Sequence, residues 1–356
     1  MFGWNCLKHF RHGSEARSVG KLRRATLSLT YNNVNITADL QDYLISFSYQ
    51  DNSDQKADDL QVVLDDKKGL WRTSWYPQKG ARLTASLIVY DWDSPNTTRI
   101  LPLGSFEIDE IAYDGPPDIM TLKGVSVPVR SSLVDETKTR AWEDTTLSAI
   151  AGDIAADAQL ELMFDSDYDP EYDRIEQSEE ADLPFLQDLC DKAALRLKVS
   201  SDKIIILDDE KYDAAPSIAT ITRGTSDIIS YSFSSSMRKI YSAARVEYQS
   251  TIWEDPITYT FTPPNSPPGK KTLVINERVS SIAEAEKLCK RKLRKANASE
   301  NTANMTLFGN PMLVAGINVS LAGFGKFDGK YAVESATHSG PAYETKLELR
   351  RTLEGY

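Results

Sequence analysis

The sequence predicts a β-rich α+β chain, two antiparallel β-segments flanking a small α/β insert. Three observations carry that prediction. Apolar and polar residues alternate with a period of two from Ala25 to about Val129, the period becomes helical after Asp144, and strand-like alternation returns after about Thr222. At 356 residues the chain has room for two or three domains of roughly 100–200 residues each.

In the first segment Leu27, Leu29 and Tyr31 alternate with Thr26, Ser28 and Thr30, and Tyr43, Ile45, Phe47 and Tyr49 with Leu44, Ser46 and Ser48. Leu60, Val62 and Leu64 follow, then Leu83, Ala85, Leu87 and Val89. Such alternation buries one face of a strand and leaves the other polar. Between Ile108 and Ile111 the apolar parity switches, which a β-bulge near Asp109 repairs, and Gly124 sits at a similar break between Leu122 and Val125. Turn chemistry at Asn32-Asn33, Lys68-Gly69, Ser94-Pro95-Asn96 and Asp114-Gly115-Pro116-Pro117 separates the runs. Six or so short strands at this spacing predict a small barrel or sandwich.

The insert opens with Leu147, Ile150, Ala151, Ile154, Ala155 and Ala158 at helical spacing, after Asp144 and two threonines suited to cap it. A short strand at 160–164 follows. A second helix starts at Asp182, tolerates Pro184 in its first turn and buries Leu186, Leu189, Cys190 and Ala193. Strands at 195–199 and 204–207 complete the unit.

In the last segment Ala244, Val246 and Tyr248 alternate with polar residues, as do Ile257, Tyr259 and Phe261. The proline-rich run 263–269 is a loop, because adjacent prolines cannot join a ladder. Ser281 and Glu284 form a capping box for a helix ending near Asn297. Strands are expected at 305–308, 317–321, 331–335 and 346–350. The expected organisation is a basic arm at 1–24, a first barrel at 25–130, an acidic insert at 131–222, and a second barrel at 223–356 with a helix inserted near 281–297.

Lys and Arg number 41 and Asp and Glu 52, a net −11. Residues 141–190 hold fifteen acids and Arg174 as their one base, so that window is −14 and the rest of the chain +3. Without a basic stripe on a folded domain, specific nucleic-acid binding is not expected. No run approaches the ~20 apolar residues of a membrane helix, so no membrane insertion is expected. The first 24 residues carry six Lys or Arg among scattered apolar positions, unlike a secretory signal. Cys6, Cys190 and Cys289 lie far apart, which suits a reducing compartment and a cytoplasmic origin better than a disulfide framework.

Several local motifs, in order, resemble one family. Gly104-Ser105-Phe106-Glu107-Ile108-Asp109 resembles its "G-x-F-x-I-D" strand. The segment Glu176-Gln177-Ser178-Glu179-Glu180-Ala181-Asp182 leading to Phe185-Leu186 resembles its "Q-x-x-E-S-D … F-L" run, with Ala181 where the family has Ser. The strongest match runs from Phe308 through Gly309, Pro311 and Gly316 to Val319, then Gly323-Phe324-Gly325, Gly329-Lys330-Tyr331 and His338. The family is the late control gene D family, hub proteins of contractile phage tails, related to the N-terminal part of type VI secretion spikes. The resemblance covers roughly Leu27 to Arg350.

That resemblance implies two tandem tube-like antiparallel β-barrels flanking the α/β insert, with residues 218–235 assignable to either barrel. It implies a homotrimer whose six barrels form a ring with an axial passage. Such a ring stacks on a hexameric tail tube or tube-initiator protein and seats a trimeric central spike supplied as a separate chain. It further implies a place in the virion tail baseplate, assembled in the host bacterial cytoplasm. Tape-measure protein or DNA passes the lumen, and the N-terminal arm is either a flexible tail or a segment ordered by the spike or a wedge protein. The host particle is open between phage, bacteriocin and other injection devices.

No enzyme and no cofactor is expected. The Gly323-x-Gly325-x-x-x-Gly329 run has one residue too many for a dinucleotide fingerprint and precedes a strand, so a glycine-rich turn is expected. Asp165, Asp167, Asp169, Glu171, Asp173 and Glu176 have calcium-loop spacing, but Pro170 stands where that loop needs Gly, which favours a solvated acidic loop. Cys190 and Cys289 fall on apolar helix faces, and only His9, His12 and His338 are available as bases. A glycosidase needs a carboxyl in an apolar cleft, whereas these acids fall in polar sequence. Lys287, Lys290, Arg291, Lys292, Arg294 and Lys295 crowd the C-terminal half of one helix, where cations suit the dipole. A solvated face is the simple expectation; the sharper one pairs this patch with Asp165, Asp167 and Asp169 of a neighbouring subunit. A tandem surface- or carbohydrate-binding tail module is the alternative function, though tryptophans scattered from Trp4 to Trp253 give it little support.

Overall fold

The computed structural model describes residues 23–356, apart from 55, 93, 127–132, 201, 226, 239, 249–255, 267, 268 and 270. The expected arm, including His9, His12 and Cys6, lies outside the described residues but for Arg23 and Arg24. The first segment contains β1 (Arg24–Tyr31), β2 (Val34–Asn35), α1 (Thr37–Gln41), β3 (Leu44–Asn52), β4 (Asp59–Asp65), β5 (Arg82–Tyr90), β6 (Thr98–Asp114) and β7 (Ile119–Val125). The middle contains β8 (Thr137–Thr146), α2 (Leu147–Asp157), β9 (Glu161–Asp165), β10 (Glu171–Ala181), α3 (Asp182–Ala193), β11 (Arg196–Val199), β12 (Lys203–Leu207) and α4 (Asp209–Ala214). Then come β13 (Ala219–Thr222), β14 (Ile228–Ser235), β15 (Ala243–Tyr248), β16 (Ile257–Phe261), β17 (Thr272–Ile275), α5 (Ile282–Asn297), β18 (Asn301–Phe308), β19 (Asn318–Ala322), β20 (Gly329–Gly340) and β21 (Glu344–Arg351).

Among the described residues the chain is β-rich, with five α-helices. Its first and last segments share one 13-stranded sheet in the order β14-β18-β21-β20-β3-β4-β7-β6-β5-β1-β2, with β19 beside β20 and β13 beside β19. The seam between the segments is β3 against β20, antiparallel, with Tyr49 opposite His338. Both β13 and β14 pair with strands of the last segment, so residues 218–235 lie on that side of the seam.

Three expectations are corrected. The strands β15, β16 and β17 form a sheet of their own, β16-β15-β17, because α5 covers it and buries Ala285, Leu288, Cys289 and Leu293 against Ala244, Val246 and Ile275. Residues 171–181 are no loop: β10 pairs antiparallel with β8. Gly124 interrupts nothing, since Met120, Leu122 and Gly124 all face inward along β7. A side chain at Gly124 would start 3.0 Å from Cβ of Phe106, so that strand crossing admits only glycine without a shift.

Local chemistry explains the helix starts. Thr146 caps α2 by accepting from the Ala149 N–H, and Ser281 caps α5 by accepting from that of Glu284. The Glu284 carboxylate reaches back to the Ser280 N–H at 2.7 Å, closing the box one residue earlier than its usual form. Both expected helices of the insert, and the bulge at Asp109, are where the alternation placed them.

The two parts of the large sheet repeat one pattern. In chain order and in spatial order, β3-β4-β7-β6-β5 corresponds to β14-β18-β21-β20-β19. The β6–β7 ladder shifts register between Ile108 and Glu110, and β20–β21 shifts between Val333 and Ser335. The β3–β4 ladder shifts between Leu44 and Ser46, and β14–β18 between Ile228 and Ser230. At that second bulge the sequence itself repeats: Ile45-Ser46-Phe47-Ser48-Tyr49 and Ile229-Ser230-Tyr231-Ser232-Phe233. Phe106 and Tyr331, both fully buried, occupy the same place two residues before the first bulge. Gly80 and Gly316 both have positive φ and donate to the carbonyls of Ile108 and Val333 at 2.8 and 2.9 Å. The repeat breaks at its margin, where β1 runs antiparallel to β5 but β13 parallel to β19.

Candidate assembly interface

The basic residues of α5 meet acids of their own chain. Arg291 donates to Asp208 at 2.6 Å, Arg294 to Asp213 at 3.3 Å, Lys295 to Asp191 at 2.6 Å, and Lys290 to Glu286 one turn earlier at 2.7 Å. Arg291 and Arg294 are buried, with Arg294 also donating to the carbonyls of Leu353 and Tyr356 at 3.0 Å each. These cations are therefore not the solvated face the helix pattern suggests.

The acidic trio divides. Asp165 pairs with Lys211 and accepts from the Tyr212 hydroxyl at 2.8 Å. Asp169 accepts from the N–H and hydroxyl of Ser148 at 2.9 and 2.6 Å, bracing the first turn of α2. Asp173 takes Arg278. Carboxylates committed to separate partners do not converge on one point. Asp167, Asp169 and Lys287 line one polar cleft of ≈ 420 Å³ with Tyr168, Arg278 and Glu284.

Sequence reasoning missed the groups that fasten the insert to the sheet. The Arg350 guanidinium, on β21, spans both oxygens of Asp213 on α4 at 2.8 and 2.9 Å, and also bonds Asp209 at 3.2 Å. Arg196 on β11 binds Asp209 too. Burial alone would raise the Asp209 carboxyl, but Arg196 and Arg350 beside it hold it below its ordinary value. Two residues along β11, Lys198 bridges Asp51 at 2.8 Å and Asp58 at 3.1 Å, and Asp51 accepts from the Ala315 N–H at 2.8 Å. First segment, insert and last segment thus meet at Asp51, which holds both Lys198 and the Ala315 N–H. Burial pushes the carboxyls of Asp58 and Asp54 up to about 6, against the pull of Lys198 and Lys295 respectively. Partnered charges in such sites fix geometry, because moving either partner strands the other.

Within the matched motifs, Gln177 and Asp182 are fully buried. Lys138 and Arg140 clamp Asp182 at 2.7 and 2.6 Å, and the Gln177 amide donates to it at 2.9 Å. Ala181 stands at the N-cap of α3 and supplies no side-chain cap. Gly309 lies under the Tyr343 ring, 2.1 Å from where a Cβ would sit, and Pro311 follows in the same turn. Gly323 and Gly325 bound the β19–β20 turn, and Gly329 opens β20. His338 is buried, its Nδ1 2.8 Å from the Tyr343 hydroxyl and its Nε2 3.0 Å from the Leu313 carbonyl. Burial lowers its pKa to about 4, so it is neutral at physiological pH. Burial also pushes the Cys190 thiol up to about 12. These groups pack; none is poised as a nucleophile or base.

What remains open is backbone. β14 ends the sheet path, with a ladder on one side only among the described residues. Its Tyr231 and Phe233 gather with Phe324 and Phe327 into a partly exposed aromatic patch, ring centroids 4.6–5.8 Å apart.

No family model matches the chain. It is 33% identical over 180 residues to the probable baseplate hub protein of Escherichia phage 186, and 31% over 173 residues to that of Escherichia phage P2. Those alignments take in 50% and 48% of this chain but 44% and 42% of the relatives, so the chain spans under half the length of the curated relatives it matches. In fold it is similar to a tail protein from Neisseria meningitidis MC58, with TM-score 0.68 and 14% identity, covering 92% of this chain and 97% of that one. It is also similar to the Escherichia coli c3393 protein, a type VI secretion component, with TM-score 0.54 and 11% identity, covering 88% and 75%. The chain is therefore related in sequence to phage baseplate hub proteins and shares the fold of tail proteins.

Proposed function

We propose that the chain is a baseplate hub, a structural adaptor in a contractile tail or a device built like one. Three copies form a ring of six β-units, stacking on a sixfold tail tube on one face and seating a threefold spike on the other. The units are tube-like barrels built on β3–β7 and on β14 with β18–β21, within roughly 25–130 and 223–356, carried with the insert between them and the β15–β17 sheet beside the second. An axial passage, near-neutral or acidic, lets DNA or a tape-measure protein slide without adhering. Wedge proteins surround the ring, and assembly takes place in the bacterial cytoplasm. The work is symmetry matching, with no chemical step.

The single observation that carries this reading is the internal repeat: one chain presents the same five-stranded pattern twice, with both bulges kept. A trimer of such a chain offers six similar units to a sixfold neighbour. The c3393 protein is itself described as structurally similar to the phage T4 tail proteins gp27 and gp5, which supports the same direction. Native mass measurement of the chain, alone and mixed with a candidate spike protein, tests it. Three copies are expected; a monomer under both conditions would overturn the ring.

A further inference from the structure

The repeat is complete in one direction and interrupted in the other. On the outer edge of β3 lies β20, whose residues 335–340 pair with residues 47–52. The counterpart of β3 is β14, and nothing among the described residues pairs with its outer edge. The counterpart of the β20 stretch is the second half of β6, from Glu110 to Asp114, with Gly115 after it, placed there by the matching bulges. In both hairpins the neighbouring strand stops at the positive-φ glycine, Gly80 or Gly316, so the rest of β6 or β20 has an edge to offer.

Burial differs as an absent partner requires. Phe47 and Tyr49 are 4% and 5% exposed, while Tyr231, the counterpart of Phe47, is 42% exposed. His338 is fully buried, while its counterpart Tyr113 is 40% exposed. β14 carries no charge and no proline across Ile228–Ser235, the guards that normally keep an edge strand single.

We propose that β14 of one copy pairs antiparallel with the second half of β6 of the next copy, reproducing between chains the β3–β20 seam within each chain. The proposal rests on the hub reading and specifies its contact. Carrying the register across sets Phe233 opposite Tyr113, where Tyr49 stacks on His338 within the chain at 6.3 Å. Ser234 then faces Ala112, and Ser232 faces Asp114. The contact joins unlike edges, so it propagates head to tail rather than making a twofold pair, and with the three copies of the hub reading it closes as a ring.

Cysteine pairs test the register in the full chain with Cys6→Ser. The doubles Ala112→Cys/Ser234→Cys and Asp114→Cys/Ser232→Cys place two thiols directly opposite, close enough for oxidation or a short bismaleimide. Covalent species of two and three chains, ending at three, are expected from either double. Ala112→Cys/Ser235→Cys, with its second thiol on the opposite face, should not link. A trimer by native mass that neither double links would overturn the strand assignment and leave the hub reading standing. A monomer that does not link would overturn both. Linked pairs from Ser234→Cys alone, or a link within one chain, would show a different occupant of the β14 edge and overturn the proposal.

Discussion

Residues 45–49 and 229–233 are nearly the same peptide, and the molecule treats them oppositely. In β3 the two aromatic residues are sealed beneath a neighbouring strand; in β14 they remain at a boundary. The difference lies in what stands on the far edge, since both strands keep the same bulge and the same inner partner. The lesson is that alternation fixes which face a strand turns inward, while the neighbour on its edge decides how deep that face lies.

The comparison can be broken most sharply at Arg350, which occupies on β21 the place of Val125 on β7. Arg350→Val makes the two copies alike but leaves Asp213 and Asp209 buried with fewer partners. A loss of about 3–5 kcal/mol is expected from urea unfolding. A neutral result would show that the insert is held by other contacts.

Next comes the aromatic pair itself. Tyr49→Ala should cost about 3–5 kcal/mol, as emptying a buried ring site does. Phe233→Ala in dilute chain should cost about half of that, because its ring is only partly covered. Equal costs in dilute chain would mean that β14 is already covered. In concentrated samples the gap should narrow if copies associate through this strand.

The smallest expected effect is a pH dependence at Asp54, in the loop after β3. Its folded pKa, about 6, lies above the ordinary carboxyl value, chiefly through burial. The folded state therefore holds this proton to higher pH than the unfolded state. Its contribution is most favourable below about pH 4 and is lost as pH rises through 6. Asp54→Asn keeps an oxygen for the Leu197 N–H and removes the charge. The variant should match the parent near pH 4 and gain on it by pH 7, read as a diverging urea midpoint; parallel curves would refute the assignment.

Much of this architecture was legible in the chain. Period-two runs located the strands of the large sheet, and the caps at Thr146 and Ser281 located two helices, because both signals are local. Sheet membership was not legible: Ala244 and Val246 announce a strand, but only distant α5 decides that it leaves the main sheet. The β8–β10 ladder hid because its strands are separated by α2 and β9, and it buries little beyond Trp142, Tyr172, Ile175 and Gln177 among many acids. The basic face of α5 read as solvated because its partners Asp208 and Asp213 lie some eighty residues earlier. The duplicated Ile-Ser-aromatic-Ser-aromatic peptide was the one local trace of the open edge, and its meaning needed the bulge register.

The Lys198 bridge and the Arg350 clamp have a mechanical consequence. Both cross from the insert to the large sheet through largely buried charge, one at Asp51 and Asp58 and the other at Asp213. A body pinned twice cannot swivel about either pin. A force applied to the insert would be passed to the large sheet as a rigid lever passes torque, with little lost to hinge play.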